Sequence, residues 1–338
     1  MKNILSALAL LALSAAALSQ QQVLNLYSSR HYQTDEALYA DFTKQTGIRI
    51  QRIEAPEDAL IERLKNEGAA SPADVLVTVD AGRLWRAEQA GLFQGVKSPL
   101  LDARIPAHLR HPQDLWFGFS TRARVIVYNR DAVKPGELRS YQDLADPRWK
   151  GKICMRSSSS VYNLSLMSAL IAHHGEAQAE DWARRVAANF SRPPRGGDTD
   201  QIRAVAAGEC AATLVNTYYY ARLAKSQKPD EREAVARTAV AWPDQDAHGT
   251  HINVSGAGVL KHAPHRDAAL KFLEYLASDD AQRYFADGNN EYPAVPSVRT
   301  DNRELTALGN FKPDTLNVGE LGPHQAAAQR AFDRAGWR

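Results

Sequence analysis

Two periods of apolar residues alternate along the N-terminal third of the chain. Val23-Leu24-Asn25-Leu26-Tyr27 is a short apolar run and predicts a largely buried strand. Thr34 then caps a helix with Asp35 and Glu36 in its first turn, Leu38 and Phe42 on its apolar face, and Gly47 at its end. Ile48 to Ile53 alternates as a second strand, and Asp58 to Glu67 reads as a helix stopped by Gly68. Ala73 to Val79 is a third strand, followed by a helix from Arg83 to Gln89 before Gly91. This β-α-β-α-β-α order predicts a parallel sheet with helices on both faces.

The rhythm changes near Leu115. Residues 116–120 and 124–129 read as consecutive strands, a first crossing between lobes. A second α/β unit follows. It has a strand over Gly151–Met155, a polar loop over Ser157–Ser160, and a helix from Tyr162 to His173 with Leu164, Met167, Leu170 and Ile171 on its inner side. Gly196-Gly197-Asp198-Thr199 is a turn and cap before a helix from Gln201 to Ala207, and Ala211–Val215 is a buried strand. Thr238–Trp242 is a return strand, Ile252–Leu260 a second crossing, and the proline-bearing tail beyond Asn290 wraps over both lobes. The expected fold is α/β: a two-lobed type II periplasmic binding protein. Each lobe has a central, mostly parallel sheet flanked by helices, and two crossing strands join them. The expected division is 20–118 plus 249–298 for the N-terminal lobe and 119–248 plus 299–338 for the C-terminal lobe.

Composition fits that picture: 338 residues, 44% hydrophobic and 24% charged, suit two domains of a soluble protein. A formal net charge of +2, with no Lys/Arg run interleaved with aromatics, argues against a nucleic-acid partner. Met1-Lys2-Asn3, the apolar stretch Ile4–Leu13 and the small residues around Ala15-Ala16-Ala17 read as a secretory signal peptide over residues 1–19, and hence as export to the periplasm. No other stretch is long enough to span a membrane. The chain has two cysteines, Cys154 and Cys210. An even count in an exported protein points to one disulfide, with two buried thiols as the alternative.

The candidate chemistry sits at strand-to-helix junctions. Asn216 and Thr217 are good N-cap residues, so a helix starts there and carries Tyr218 and Tyr219 in its first turn, just past a strand's carboxyl end. A phenol has a pKa of about 10 and needs a strong cation to ionise. A helix N-terminus favours the phenolate, and a hard ion such as Fe3+ prefers anionic oxygen. Tyr162 begins another helix, and His31 and Tyr32 follow the first strand. Each alone reads equally as a packed or surface residue; their shared placement, facing one cleft, raises the chemistry. Arg222 lies four residues after Tyr218, on the same helix face, as a charge partner for clustered phenolates.

Ser28-Ser29-Arg30-His31-Tyr32, Arg156 to Asn163, Gly196 to Ile202 and Asn216 to Arg222 together resemble the ferric-iron-binding proteins of bacterial ABC importers, in the FutA-like branch. The resemblance spans essentially the whole chain after the leader. It implies that His31, Tyr32, Tyr162, Tyr218 and Tyr219 hold iron as transported cargo, Fe3+ with Fe2+ not excluded. It implies an inner-membrane permease and an ATPase as partners, and Tyr220 outside the ligand set. The chain itself is expected to be a monomer that is not embedded in the membrane. Two other readings compete. One is a receptor of the same fold for an anion or other small solute, using the Ser157–Ser160 loop and the Gly196-Gly197 turn. The other is a secreted metal-dependent enzyme built on His173-His174 or on His248 and His251. No Gly-x-Ser-x-Gly or His-Glu-x-x-His motif supports the enzyme, and adjacent helical histidines point apart.

Overall fold

The computed structural model describes residues 22–30 and 32–338, so the leader and His31 lie outside the described residues. Strands β1 (Val23–Ser28), β2 (Arg49–Glu54) and β3 (Val75–Val79) pair in parallel in the order β2-β1-β3. Helices Asp35–Thr46, Glu57–Glu67 and Ala81–Gln89 follow them in turn, as the alternating pattern predicts. Gly47 ends the first helix in the left-handed conformation (φ 72°), which explains a glycine there. Thr34 makes no capping bond; its hydroxyl is turned to Asn289 instead.

The two stretches expected as separate strands near the first crossing are one strand, β4 (Phe117–Asn129), thirteen residues long and buried at every position. Its partners change along its length. Residues 117–123 pair with the second crossing, and residues 124–128 pair with β5 (Ala212–Asn216). Asn129 and its neighbours pair with β6 (Thr238–Ala241). The second crossing is β7 (Ile252–Val259), lying between β3 and β4, and β8 (Tyr292–Pro293) adds to β4 at Ser120 and Thr121. Phe119 is an extra residue in the ladder between Gly118 and Ser120. Such a bulge sharpens the local twist as the strand leaves one half for the other.

The sheet is therefore mixed. β1, β2 and β3 are parallel, while both crossings run antiparallel to their neighbours. In the second half the expected strand over Gly151–Met155 reduces to bridges from Ile153 to Phe190 and to Ala212. Those bridges suffice to set Cys154 beside Cys210, Cα to Cα 5.8 Å, where the two form a disulfide.

Helices Val161–His174 and Glu176–Ala188 pack with the C-terminal helix Gln325–Arg334 around Leu166, Met167, Leu170, Trp182, Phe332 and Trp337, the core of this half. Burying side chains of that size stabilises by roughly 2 kcal/mol each. Among the described residues no helix is long and apolar enough to cross a membrane.

Candidate metal centre

β5 ends at Asn216, and helix Thr217–Lys225 begins at the next residue. The expected cap is not formed by the Asn216 side chain, because a buried arginine claims it. Arg124 Nη1 donates to Asn216 Oδ1 at 3.1 Å, and the Asn216 backbone N–H donates to Asp198 Oδ2 at 2.7 Å. Asp198, fully buried at the start of helix Asp198–Ala206, also receives Arg124 at 2.8 Å and Arg156 at 3.0 Å. One carboxylate thus fixes where the tyrosine helix starts. The Gly196-Gly197 turn is needed to bring it there, Gly196 sitting at φ 69°.

From that start the phenols converge. Tyr218 is buried and its hydroxyl donates to Tyr162 Oη at 3.1 Å. The Tyr218 and Tyr219 rings lie 4.2 Å apart. Burial pushes the Tyr218 phenol well above its ordinary pKa, and nearby Tyr162, Tyr32 and Tyr219 push it further, while Arg122 pulls it down. Tyr162 is raised in the same way, first by burial and then by Tyr219 and Tyr32. Tyr32 is raised by burial and Glu291, opposed by Arg30 and Arg122. Electrostatic coupling links Tyr32, Tyr162, Tyr218 and Tyr219, so the structure brings the four expected tyrosines together.

Arginines stand beside these phenols. Arg222 stands 5.0 Å from the Tyr219 ring centre and 5.9 Å from that of Tyr218, the face expected from its spacing. Arg156 and Arg124 stand over Tyr162 at 5.3 and 6.0 Å, Arg122 over Tyr218 at 6.0 Å, and Arg30 over Tyr32 at 4.8 Å. Arg122 is buried in mid-β4 and bonds Glu291 at 2.8 Å and Ser255 Oγ at 2.6 Å. Arg30 shares Glu291 at 3.2 Å and holds Asp35 at 2.9 Å.

Sequence reasoning missed Arg30, Arg122, Arg124, Arg156, Asp198 and Glu291. A signal existed: Arg122 and Arg124 alternate in a stretch that leads into the apolar run Val125-Ile126-Val127, which places both on one face of a strand.

Three of the histidines considered for a metal-dependent enzyme, His173, His174 and His248, do come together, with the ring centres of His174 and His248 5.7 Å apart. His173 stacks on His248 at 3.9 Å, and His173 Nε2 bonds Asp314 Oδ2 at 2.7 Å, so the acidic partner comes from the tail. Among the described residues no group of three or more His, Cys, Asp or Glu is placed to hold a metal ion.

Known proteins resemble this chain in sequence and shape. Residues 70–311 match the family model described as bacterial extracellular solute-binding protein. Iron uptake protein A2 of Synechocystis is 54% identical over 99% of this chain and 95% of its own length. The structure of Trichodesmium FutA (IdiA) in complex with iron and citrate superposes with a TM-score of 0.91 at 53% identity, covering 94% of this chain and all of that one. The ferric binding protein of Campylobacter jejuni does so with a TM-score of 0.86 at 37% identity, over 93% of this chain and 100% of its own.

Proposed function

The chain belongs to the bacterial extracellular solute-binding proteins, and from that membership we propose that it captures ferric iron between its lobes and hands it to an inner-membrane permease with its ATPase. Export to the periplasm follows from the leader-like segment 1–19. The proposed ligands are Tyr32, Tyr162, Tyr218 and Tyr219, with His31 as the nitrogen donor. Arg222 and Arg122 offset the charge that remains when four phenolates meet a trivalent ion.

The observation that carries this reading is the Tyr218–Tyr162 hydroxyl pair at 3.1 Å, with the Tyr219 ring beside it and Tyr32 in electrostatic reach. Four phenols gathered beside buried arginines are oxygen donors that a hard cation can ionise and the arginines can then stabilise. Iron uptake protein A2 and the iron-bound FutA structure, both more than half identical to this chain, support the same cargo. The lobe division, 20–118 plus 249–298 against 119–248 plus 299–338, is part of the proposal. It puts Tyr32 and His31 on one lobe and the other three tyrosines on the other, so that a shared ion draws the cleft shut.

The test is optical. Ferric loading is expected to produce a visible phenolate-to-iron charge-transfer band that is lost or displaced in Tyr218→Phe and Tyr162→Phe. A colourless ferric-saturated protein refutes the site. An anion receptor of the same fold would keep its affinity for its solute in both variants.

A further inference from the structure

Asp80, between β3 and helix Ala81–Gln89, holds a backbone conformation that L-residues rarely adopt, φ 101° and ψ 127°. Positive φ at a non-glycine residue persists only where the surroundings enforce it, and such outliers gather at sites of function. Three donors on three different elements enforce it here. The Gly82 backbone N–H caps into Oδ1 at 2.8 Å, from the first turn of helix Ala81–Gln89. The Ser165 hydroxyl reaches both carboxylate oxygens, at 2.9 and 2.8 Å, from helix Val161–His174. Asn253 Nδ2 donates to Oδ2 at 2.7 Å from β7.

The Asn253 amide cannot turn over. Its Oδ1 accepts the backbone N–H groups of Ala81 at 2.9 Å and Val254 at 2.8 Å, so the NH2 must face Asp80. Asp80 and Ser165 are both fully buried. Beyond these donors, Arg83 and Arg122 favour the charged carboxylate, and Glu57 also lies within its electrostatic reach.

β3 belongs to the sheet that also carries β1 and the Arg30–Tyr32 loop, whereas helix Val161–His174 carries Tyr162, one turn before Ser165. The Ser165–Asp80 bond therefore ties the helix that presents a proposed ligand to the opposite half of the molecule. It does so beside β7, at the point where Asn253 faces Arg122 across the two crossings. We propose that Asp80 and Ser165 form a latch across the hinge, which sets how far the cleft opens without cargo and fixes Tyr162 relative to Tyr32. Both are positioning residues, since neither is among the proposed ligands.

Both consequences take the lobe division proposed above; the consequence for iron rests on the proposed cargo as well, and the consequence for the shape of the empty protein does not. Ser165→Ala removes the hydroxyl that bonds Asp80 from the other half and leaves the Gly82 cap and the Asn253 bond in place. Asp80→Asn is a second, independent cut. It puts an NH2 where a carboxylate oxygen accepted, against donors from Gly82, Asn253 and Ser165. The exported full-length protein, stripped of metal, is measured by small-angle scattering, with thermal unfolding to confirm that each variant is folded. Both variants are expected to show a larger radius of gyration than the parent. When loaded with ferric iron they are expected to lose it to a competing chelator roughly tenfold to hundredfold faster, the range for a hydrogen bond to a charged group. The phenolate band should also shift as Tyr162 is released. A metal-free radius of gyration unchanged in both folded variants overturns the latch, whatever the metal does. Tyr162→Phe, run in parallel, reports on the iron site separately.

Discussion

Acid should weaken this protein through a group outside the proposed site, and that effect can be separated from the phenols. His251 opens the second crossing and is 4% exposed. Burial pushes its imidazole pKa down to about 4; Asp314 works against that, while Arg124 and His173 reinforce it. In the unfolded chain the same ring titrates at about 6.5. The native state therefore binds fewer protons than the unfolded state between those values, so stability falls as pH drops through that window. Linkage over this interval gives a loss of about 2 kcal/mol at pH 5 and about 3 kcal/mol at pH 4, relative to neutral pH. His251→Gln keeps a polar side chain of similar length with no proton to gain. Urea unfolding of the metal-free parent and variant at several pH values from 7 to 4 measures the difference. The variant is expected to lose less stability on acidification by about the amounts given. Parallel pH profiles would show that His251 takes up its proton in the folded state, and would refute the reasoning.

Three further outcomes are expected. Arg122→Met leaves Glu291 with Arg30 as its remaining ion-pair partner, beside the Ser120 and Ser255 hydroxyls, and removes a cation that lowers the Tyr218 pKa. The cost should be about 3–5 kcal/mol in chemical denaturation, and the onset of the ferric band should move to higher pH. Reducing the Cys154–Cys210 disulfide, whose cysteines are 56 residues apart, should lower stability by about 4 kcal/mol on loop-entropy grounds, read as a shift in the denaturant midpoint. Trp337→Ala empties a buried site beside Trp182, Phe190 and Phe332 and should cost about 3–5 kcal/mol in the same assay, with the ferric band unchanged.

How much of this was legible in the sequence follows from the range of the forces involved. The β-α order of the first half could be read because local periodicity and glycine stops mark each element, and Gly47 ends its helix as expected. The tyrosines could be singled out because each stands at or just before a helix start, a position local sequence defines, although the strand expected before Tyr162 is reduced to bridges at Ile153. What could not be read depended on partners distant in the chain. Asn216 looked like a cap until Arg124, on another strand, claimed its oxygen. β4 looked like two strands, 116–120 and 124–129, with Thr121-Arg122-Ala123 between them, and Glu291 and Asp198, far along the chain, make Arg122 and Arg124 tolerable inside. Asp80 gave no sign of its strained backbone, because three donors from separate elements impose it.

The charge around the phenols bears on why tyrosine, rather than carboxylate, would serve here. Two sets of ion pairs stand around the phenols: Arg30 and Arg122 with Asp35 and Glu291, and Arg124 and Arg156 with Asp198, together four cations against three anions. Such a pocket does not draw a bare cation by its field. A carboxylate cage, already ionised at neutral pH, would accept abundant ions such as Ca2+ and Mg2+, which favour oxygen ligands of that kind. Phenols whose pKa is pushed up by burial and by one another stay protonated before such ions. Only a cation acidic enough to displace those protons can bind, and the surplus arginine charge then stabilises the phenolates it creates. Under the proposed reading the raised pKa is the filter: it costs affinity for every cation, and a trivalent one recovers that cost most fully.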